Sequence, residues 1–237
     1  MSDSLDAIGF DLDDTLFAYH DYARAGLAAA ADHLEAVTGR SYHQELWSIY
    51  FEEGVTTGTF DHLVETADIS QELVADCIER FHAADEPLEP YPDAEPTLEA
   101  LGRSHRLGLL TDGRNGRAKL ERLGLAEYFD AVVVTPELDR SKRELVAFRR
   151  LLEGLDVSAE SAAYVGDDPR VDFEHPNTLG MTTVRLRRGR YDDLEPPQDS
   201  ARPDHEIESL HAVQEILVDS KPARTTDGGI ENGGNNV

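Results

Sequence analysis

Cysteine is scarce in this chain, and long apolar runs are absent. Cys77 is the only cysteine, so no disulfide can form within the chain, and a buried apolar role is expected for it. No stretch is long and apolar enough to predict a membrane span, and the first residues, MSDSLD, are polar and acidic rather than basic and apolar. We therefore expect a cytoplasmic protein that binds no membrane.

Positive charge is also scarce. The 237 residues include 22 Lys and Arg against 48 Asp and Glu, a formal net charge of −26, and only three of the bases are lysines. This balance disfavours nucleic acid as a partner. It also makes the chain repel itself at low ionic strength, because the screening length is about 10 Å at 0.1 M salt but about 3 Å at 1 M. We hypothesise that the protein is adapted to a cytoplasm of very high salt. Equal stability and activity at low salt and at molar salt would contradict this hypothesis.

One acidic stretch near the N-terminus, AIGFDLDDTL over 7–16, looks functional. Its apolar run predicts a buried parallel strand, and Asp11, Asp13 and Asp14 follow directly. Ligands of open α/β sheets bind at the carboxyl ends of strands. Period-2 alternation sends Asp11 and Asp13 to the same side, where they repel each other unless a cation or a shared proton intervenes. At this point the alternative, that solvated acids merely end the strand, stays open.

Helical patterns fill the segment that follows. No convincing strand occurs before Pro92, so a helical block interrupts a sheet that has only begun. This arrangement predicts an inserted helical cap over 17–91 rather than a crossover connection. The predicted helices span 22–39, 42–53, 60–67 and 71–84, the last with Ser70 as its N-cap.

Strands and helices alternate after the proline-rich segment 86–96. This pattern predicts an α/β fold with a doubly wound, mainly parallel sheet, whose core comprises 1–16 and 92–219. The tail 220–237 is rich in Gly, Asn and Thr and is predicted to be disordered. The predicted later strands are 106–111, 129–135, 162–166, 182–186 and 204–209.

Further predicted strands lead into residues that carry chemistry. Thr111 ends one strand, Asp167 follows another with Asp172 in the next loop, and Lys142 opens a helix predicted over 141–152. Because the carboxyl ends of parallel strands share one edge, these side chains are expected to converge with Asp11. Convergent carboxylates suit Mg²⁺, while a lysine and a hydroxyl suit an anionic group such as phosphate.

These residues resemble the motifs of the haloacid dehalogenase-like (HAD) superfamily of phosphohydrolases. The order, spacing and strand context agree over nearly the whole chain, and the resemblance implies a Rossmann-like core with a helical cap between the first and second motifs. The first motif, DxDxT, is matched by Asp11, Asp13 and Thr15, and the later ones by Thr111, by Lys142, and by Gly166 and Asp167 with Asp172.

The resemblance implies a Mg²⁺-dependent phosphatase that forms an aspartyl-phosphate. Asp11 would attack phosphorus, and Asp13 would protonate the leaving alcohol and later deprotonate water. The implied metal ligands are Asp11, the backbone carbonyl of Asp13, Asp167 and Asp172. The implied phosphate-binding residues are Thr111, Asp112 and Lys142. Two positions depart from the family pattern: Asp112 stands where an amide is common, and Arg143 stands where proline is common.

Several functions stay open from the sequence. The leading hypothesis is hydrolysis of a small phosphorylated metabolite, and a phosphomutase would keep every motif. A 2-haloacid dehalogenase would need neither Asp13 nor Mg²⁺, and a non-catalytic binding module would be expected to lose at least one motif. The identity of the substrate and the oligomeric state are not predicted.

A few residues have no assigned role. His20 follows the acidic loop, and Arg114 and Arg117 follow Thr111 closely, so each is a candidate either for substrate contact or for a structural role. The cluster of arginines over 185–190 either steers an anionic substrate or forms salt bridges at a strand end.

Overall fold

The structure, a computed structural model, describes residues 5–67 and 69–219, so the predicted disordered tail 220–237 lies outside the described residues. Within the described part, six strands form one sheet in which all neighbouring strands run parallel. The strands are β1 (Ala7–Phe10), β2 (Arg106–Thr111), β3 (Ala131–Val134), β4 (Ala162–Gly166), β5 (Thr182–Leu186) and β6 (His205–Ile207).

The strand order places β1 in the middle of the sheet. The order is β3-β2-β1-β4-β5-β6, so the chain builds one half of the sheet outward from β1 and then returns to build the other half. The point at which the order reverses lies between β1 and β4, which is where ligands of such sheets bind. The doubly wound parallel sheet predicted from the sequence is confirmed.

Helices cover both faces of the sheet. Side chains from β1 alternate: Ile8 and Phe10 join the core on one face, and Ala7 joins the core on the other. On the second face a Cβ at Gly9 would lie 2.7 Å from Leu151 Cδ2 and 2.9 Å from Tyr164 Cδ2, so a side chain there would force these neighbours to shift. The helices outside the insertion are α5 (Ala94–Leu101), α6 (Gly116–Arg122), α7 (Leu145–Leu155), α8 (Glu174–Leu179) and α9 (Val213–Asp219).

The insertion between β1 and β2 is helical, as predicted. Its first helix packs mainly against its fourth, where the Phe81 ring lies over Gly26 at a position that a Cβ would fill. Cys77 is buried among these helices at 2% exposure. The helices are α1 (Tyr19–Thr38), α2 (His43–Trp47), which continues as a π-helical turn over Ser48–Glu52, α3 (Thr59–Ala67) and α4 (Leu73–Ala83).

The chain enters and leaves the insertion at adjacent points. Phe17 pairs with Pro90 in an isolated antiparallel bridge, and the Tyr91 N–H donates to the Leu16 carbonyl at 2.9 Å. The exact division into a core and a cap at 16/17 and 91/92 stays a prediction.

Two predicted helices begin at least two residues later in the structure, and the helix predicted from residue 22 begins earlier, at Tyr19. The helix predicted from Ser141 begins at Leu145, because the backbone N–H of Lys142 donates to Asp112 and Glu144 is extended. The helix predicted with Ser70 as its N-cap begins at Leu73, and the Ser70 hydroxyl instead accepts from the Glu72 N–H in the preceding turn at 3.4 Å. Among the described residues, no helix combines the length and apolar character needed to cross a membrane.

Candidate active site

The predicted site residues meet in one cavity at the carboxyl edge of the sheet. Asp11 directly follows β1, and its N–H donates to the carbonyl of Val165 in β4 at 2.9 Å, which fixes it at the point where the strand order reverses. The cavity has a volume of about 430 Å³. The predicted residues that line it are Asp11, Asp13, Thr111, Asp112, Lys142, Asp167 and Asp172.

Lys142 is buried among carboxylates. Its ammonium donates to Asp11 Oδ1 and, at 2.8 Å, to Asp172 Oδ1, and it is 2% exposed. Burial alone would lower the pKa of Lys142, but the charges of Asp11 and Asp172 overcome this and hold the pKa well above its ordinary value. The lysine therefore stays charged and offsets part of the repulsion between these acids.

Three of the acids form a cluster that could hold a metal ion. One carboxylate oxygen from each of Asp11, Asp167 and Asp172 lies within 4.8 Å of the others. Asp167 Oδ1 accepts from the Thr15 hydroxyl at 3.3 Å, while its buried Oδ2 has no hydrogen-bond partner among the described residues. A buried carboxylate oxygen without a partner costs stability, and a cation would supply the missing partner.

The electrostatics of the cluster agree with a bound cation. Burial raises the pKa of Asp11 to about 7, even though Lys142 opposes the shift. Burial, together with the charges of Asp11 and Asp172, also raises the pKa of Asp167 well above its ordinary value. The protein fold therefore holds these acids in an environment that penalises their ionised form, and a divalent cation would relieve the penalty.

Asp172 makes hydrogen bonds through both carboxylate oxygens. Oδ1 accepts from Lys142, and Oδ2 accepts from the backbone N–H of Asp168 at 3.0 Å. The neighbouring Gly166 has no room for a side chain, because a Cβ there would overlap the Asp172 carboxylate. These contacts suit Asp172 to orient Lys142 from beside the cation site.

Asp13 is held by a second buried lysine that the sequence did not single out. The Lys119 ammonium lies 2.7 Å from Asp13 Oδ1 and 3.0 Å from Oδ2, and Lys119 is 1% exposed. It also lies over the rings of Tyr22, Tyr19 and Phe17, with distances to the centroids of 4.3, 5.1 and 5.7 Å. An ion pair within an aromatic enclosure thus joins α6 of the core to the start of the insertion.

Asp14 does not face the cluster but fixes the loop around it. It adopts a left-handed conformation with φ 65°, and its Oδ1 accepts from the N–H of Tyr19 at 3.0 Å. Its Oδ2 accepts from Arg190 Nε at 2.5 Å, and the Arg190 guanidinium stacks over the Tyr19 ring at 3.8 Å. Asp14 therefore connects the loop after β5 to the first residue of α1.

Asp112 ties two loops together at the cavity wall. Its Oδ1 accepts from the Thr135 hydroxyl and, at 2.8 Å, from the backbone N–H of Lys142. Thr111, which lies beside it, is buried, and its hydroxyl oxygen accepts from the Gly113 N–H at 3.0 Å. Because a carboxylate repels phosphate, any contact of Asp112 with the substrate would come from its backbone N–H.

Most of the residues without an assigned role lie away from the cavity. The His20 ring stacks near Phe51 with a centroid distance of 4.5 Å, and Arg117 donates to Glu137 at 3.1 Å. Of the arginines over 185–190, Arg185 is buried and donates to backbone carbonyls, and Arg188 binds both oxygens of Asp93. Arg114 and Arg190, by contrast, line the cavity.

Sequence reasoning missed several residues that line the cavity. These are Tyr19, Tyr22 and His82 from the insertion and Lys119, Val171 and Tyr191 from the core. The Tyr22 hydroxyl and His82 Nδ1 are 2.9 Å apart. For Lys119 the sequence did offer one signal, the scarcity of lysine. In a chain this acidic, each lysine calls for a specific explanation.

Comparison with known proteins agrees with this geometry. The family model described as haloacid dehalogenase-like hydrolase matches residues 5–174, and a second, described as HAD-hydrolase-like, matches residues 140–213. The glyceraldehyde 3-phosphate phosphatase of Methanopyrus kandleri is 35% identical over 232 residues, covering 90% of this chain and 99% of that protein. The ribulose-1,5-bisphosphate 5-phosphatase of Halopiger xanaduensis is 28% identical, covering 89% of this chain and 98% of that protein.

A solved structure shows the same fold. The 2-haloacid dehalogenase from Pseudomonas syringae has a TM-score of 0.64 and 26% identity, covering 90% of this chain and 98% of that chain. Fold similarity extends to enzymes of two reaction types, so the fold alone does not decide the reaction. The match over residues 5–174, together with the convergent site, shows that this chain belongs to the haloacid dehalogenase-like hydrolase family.

Proposed function

We propose that this protein is a Mg²⁺-dependent phosphatase that hydrolyses the phosphate ester of a small metabolite. The observation that carries the proposal is the pairing of Asp11, next to Lys142 and the cation cluster, with Asp13 in the same cavity. The relative of M. kandleri, named as a phosphatase, supports this choice at 35% identity.

Asp11 is the proposed nucleophile. Its carboxylate oxygen would form a bond to phosphorus while the bond from phosphorus to the ester oxygen breaks, leaving an aspartyl-phosphate. Lys142 would reduce the repulsion between this carboxylate and the incoming phosphate, and the Thr111 hydroxyl would contact a phosphoryl oxygen. Because burial raises the pKa of Asp11 to about 7, the positive charges around it are needed to keep it ionised at neutral pH.

Asp13 is the proposed proton carrier. It would give a proton to the leaving alkoxide in the first step and accept a proton from the attacking water in the second, which regenerates the Asp11 carboxylate. Its side chain is only 13% exposed, and the two contacts with Lys119 fix its direction. Because this carboxylate is already fixed, substrate binding does not have to pay the entropy cost of ordering its side chain.

The donor set fits Mg²⁺. Hard carboxylate oxygens of Asp11 and Asp167 would bind the ion, the latter through the buried oxygen that lacks a partner among the described residues. The carbonyl of Asp13 is a third proposed ligand, and Asp172 would support the site through Lys142. When bound, Mg²⁺ would supply positive charge that neutralises the acids and the phosphoryl oxygens.

Two rival functions make different demands on these residues. A dehalogenase has no use for a proton carrier at Asp13, yet here a buried lysine holds that carboxylate in the cavity. A phosphomutase would keep every residue of the site, and only analysis of the products formed from a sugar phosphate separates it from a phosphatase.

The test is hydrolysis of p-nitrophenyl phosphate with Mg²⁺ at molar salt. We expect turnover that EDTA removes and added Mg²⁺ restores, and a loss of at least about 10³-fold for Asp11→Asn without loss of fold. Asp6→Asn, at an exposed acid just before β1, is the matched control and should keep full activity.

Other outcomes would overturn parts of the proposal. An active Asp11→Asn variant would refute the nucleophile, and activity indifferent to EDTA would refute the metal. If neither this substrate nor any of a panel of metabolite phosphates turns over, the phosphatase assignment fails.

A further inference from the structure

Two arginines on the cavity wall make no ion pair. Most arginine side chains in the described part of the chain bind a carboxylate or a backbone carbonyl, as expected where acids outnumber bases. Within residues 5–67 and 69–219, four guanidinium groups have no such partner: those of Arg80, Arg114, Arg143 and Arg149. Two of the four, Arg114 and Arg143, line the cavity that holds Asp11.

Both arginines are sequence neighbours of proposed phosphate-binding residues. Arg114 lies three positions after Thr111, and Arg143 directly follows Lys142. Asp112 joins the two loops, since its Oδ1 accepts from the Lys142 N–H at 2.8 Å and from Thr135. The two arginines thus lie on joined loops that follow the adjacent strands β2 and β3, and both line the cavity.

The other cationic groups of the cavity are already engaged. Lys142 binds Asp11 and Asp172, Lys119 binds Asp13, and Arg190 binds Asp14. An additional anion at any of these would compete with a carboxylate that is already in place. At Arg114 and Arg143 it would displace only water, and a guanidinium can bind a carboxylate or a phosphate through two parallel hydrogen bonds.

We propose that Arg114 and Arg143 form a second anion-binding subsite, and that the preferred substrates carry a carboxylate or a second phosphate besides the phosphate that is cleaved. This inference rests on the proposed phosphatase function and narrows its substrate class. The acids of the cation cluster lie in the same cavity and repel a second anionic group, which directs that group toward the two arginines.

The test compares substrates that differ only in the second anion. The first pair is glyceraldehyde 3-phosphate, which carries an aldehyde, and 3-phosphoglycerate, which carries a carboxylate in its place. The second pair is ribulose 5-phosphate and ribulose 1,5-bisphosphate, which has one phosphate more. We expect kcat/KM at constant molar salt to be higher for the doubly anionic member of at least one pair. Arg114→Gln and Arg143→Gln should each lower that value about 10-fold, with less than about a 2-fold change for the other member.

Arg149→Gln is the matched control. Arg149 is also exposed and unpaired among the described residues, but it does not line the cavity. Arg149→Gln changes the net charge by the same amount as the other two variants, and it should leave the preference for doubly anionic substrates unchanged. Equal losses for both members of a pair would overturn the inference, because the arginines would then act on the cleaved phosphate. Wild-type protein that hydrolyses monophosphates without any preference would also overturn it, while leaving the phosphatase proposal intact.

Discussion

The cavity contains two buried lysine–aspartate pairs that differ in what surrounds them. Lys142 lies against the sheet beside two carboxylates, Asp11 and Asp172, and over one aromatic ring, that of Tyr164, at 5.7 Å. Lys119 lies between the core and the insertion, with one carboxylate, Asp13, and three aromatic rings around it. The first lysine compensates an excess of buried negative charge, whereas the second has a single partner whose position it determines.

This difference separates two ways in which a fold can control a carboxylate. Around Asp11, the fold imposes a costly environment and relies on cations to hold the ionised form. Around Asp13, the fold provides one cation and surrounds that cation with rings, so a single partner orients the carboxylate. Removing each lysine should therefore have distinct consequences.

The largest effect is expected from Lys142→Met. It leaves Asp11 and Asp172 buried without their cation, which should cost about 3–5 kcal/mol of unfolding free energy. Loss of the cation beside Asp11, the proposed nucleophile, should also lower kcat by about 10²–10³-fold. Urea unfolding at molar salt and steady-state kinetics measure the two quantities. Added Mg²⁺ should recover more stability in this variant than in wild type, and an equal response of both proteins would contradict our account of the cluster.

Lys119→Met should have a smaller effect. Asp13 is 13% exposed and gains hydration once the lysine is gone, so we expect a cost of about 2 kcal/mol in unfolding free energy. The activity should fall more for alkyl phosphates, whose leaving group needs a proton, than for p-nitrophenyl phosphate, whose leaving group does not. If both substrate types lose activity equally, Lys119 supports the fold rather than the position of Asp13.

The Asp11→Asn variant should change how stability depends on pH in the metal-free protein. The pKa of Asp11 is raised from its ordinary 3.8 to about 7 by burial, so its stabilising contribution is present below about pH 4 and is lost as the pH rises toward 7. Relative to wild type, the variant should therefore gain stability across that window. Unfolding curves at several pH values in EDTA measure this difference, and a difference that is flat with pH would refute the assigned cost of ionising Asp11.

Tyr22→Phe should have the smallest effect. The ring over Lys119 is kept at its 4.3 Å position, and the hydroxyl contacts with His82, at 2.9 Å, and with Asn115 are lost, which is worth about 1 kcal/mol. Thermal unfolding measures the change. If Tyr22→Phe lowers the unfolding free energy as much as Lys119→Met does, then the hydroxyl contact, rather than the ring, stabilises the surroundings of Lys119.

The sheet and the first lysine pair could be predicted from the sequence for the same reason. Asp11, Thr111 and Asp167 each follow an apolar run, and parallel strands bring their carboxyl ends to one edge whatever the details of packing. Lys142 belongs to the same pattern through the loop after β3. The helical insertion was also predictable, because a helical period without strands is a local signal.

The second lysine pair was not predictable in this way. Lys119 and Asp13 are 106 positions apart, and their contact depends on how α6 lies against the loop after β1, which no periodicity encodes. The role of Asp112 was also hidden, because its bond to the Lys142 N–H requires that the helix predicted from Ser141 begin late. Helix starts depend on such tertiary hydrogen bonds as much as on local preference.

The adjacent ends of the insertion have a consequence for how this protein can change over evolution. Since Tyr91 donates to the carbonyl of Leu16, the segment between them begins and ends at one place on the surface of the sheet domain. A segment whose two ends lie next to each other can be replaced by one of another length without moving any strand. Loops that tolerate the insertion of a whole domain have the same property. The part of the cavity wall that Tyr22 and His82 supply can therefore change while Asp11, the proposed nucleophile, stays in place after β1. An exchange of residues 17–90 between relatives would transfer that part of the wall together with the rings around Lys119.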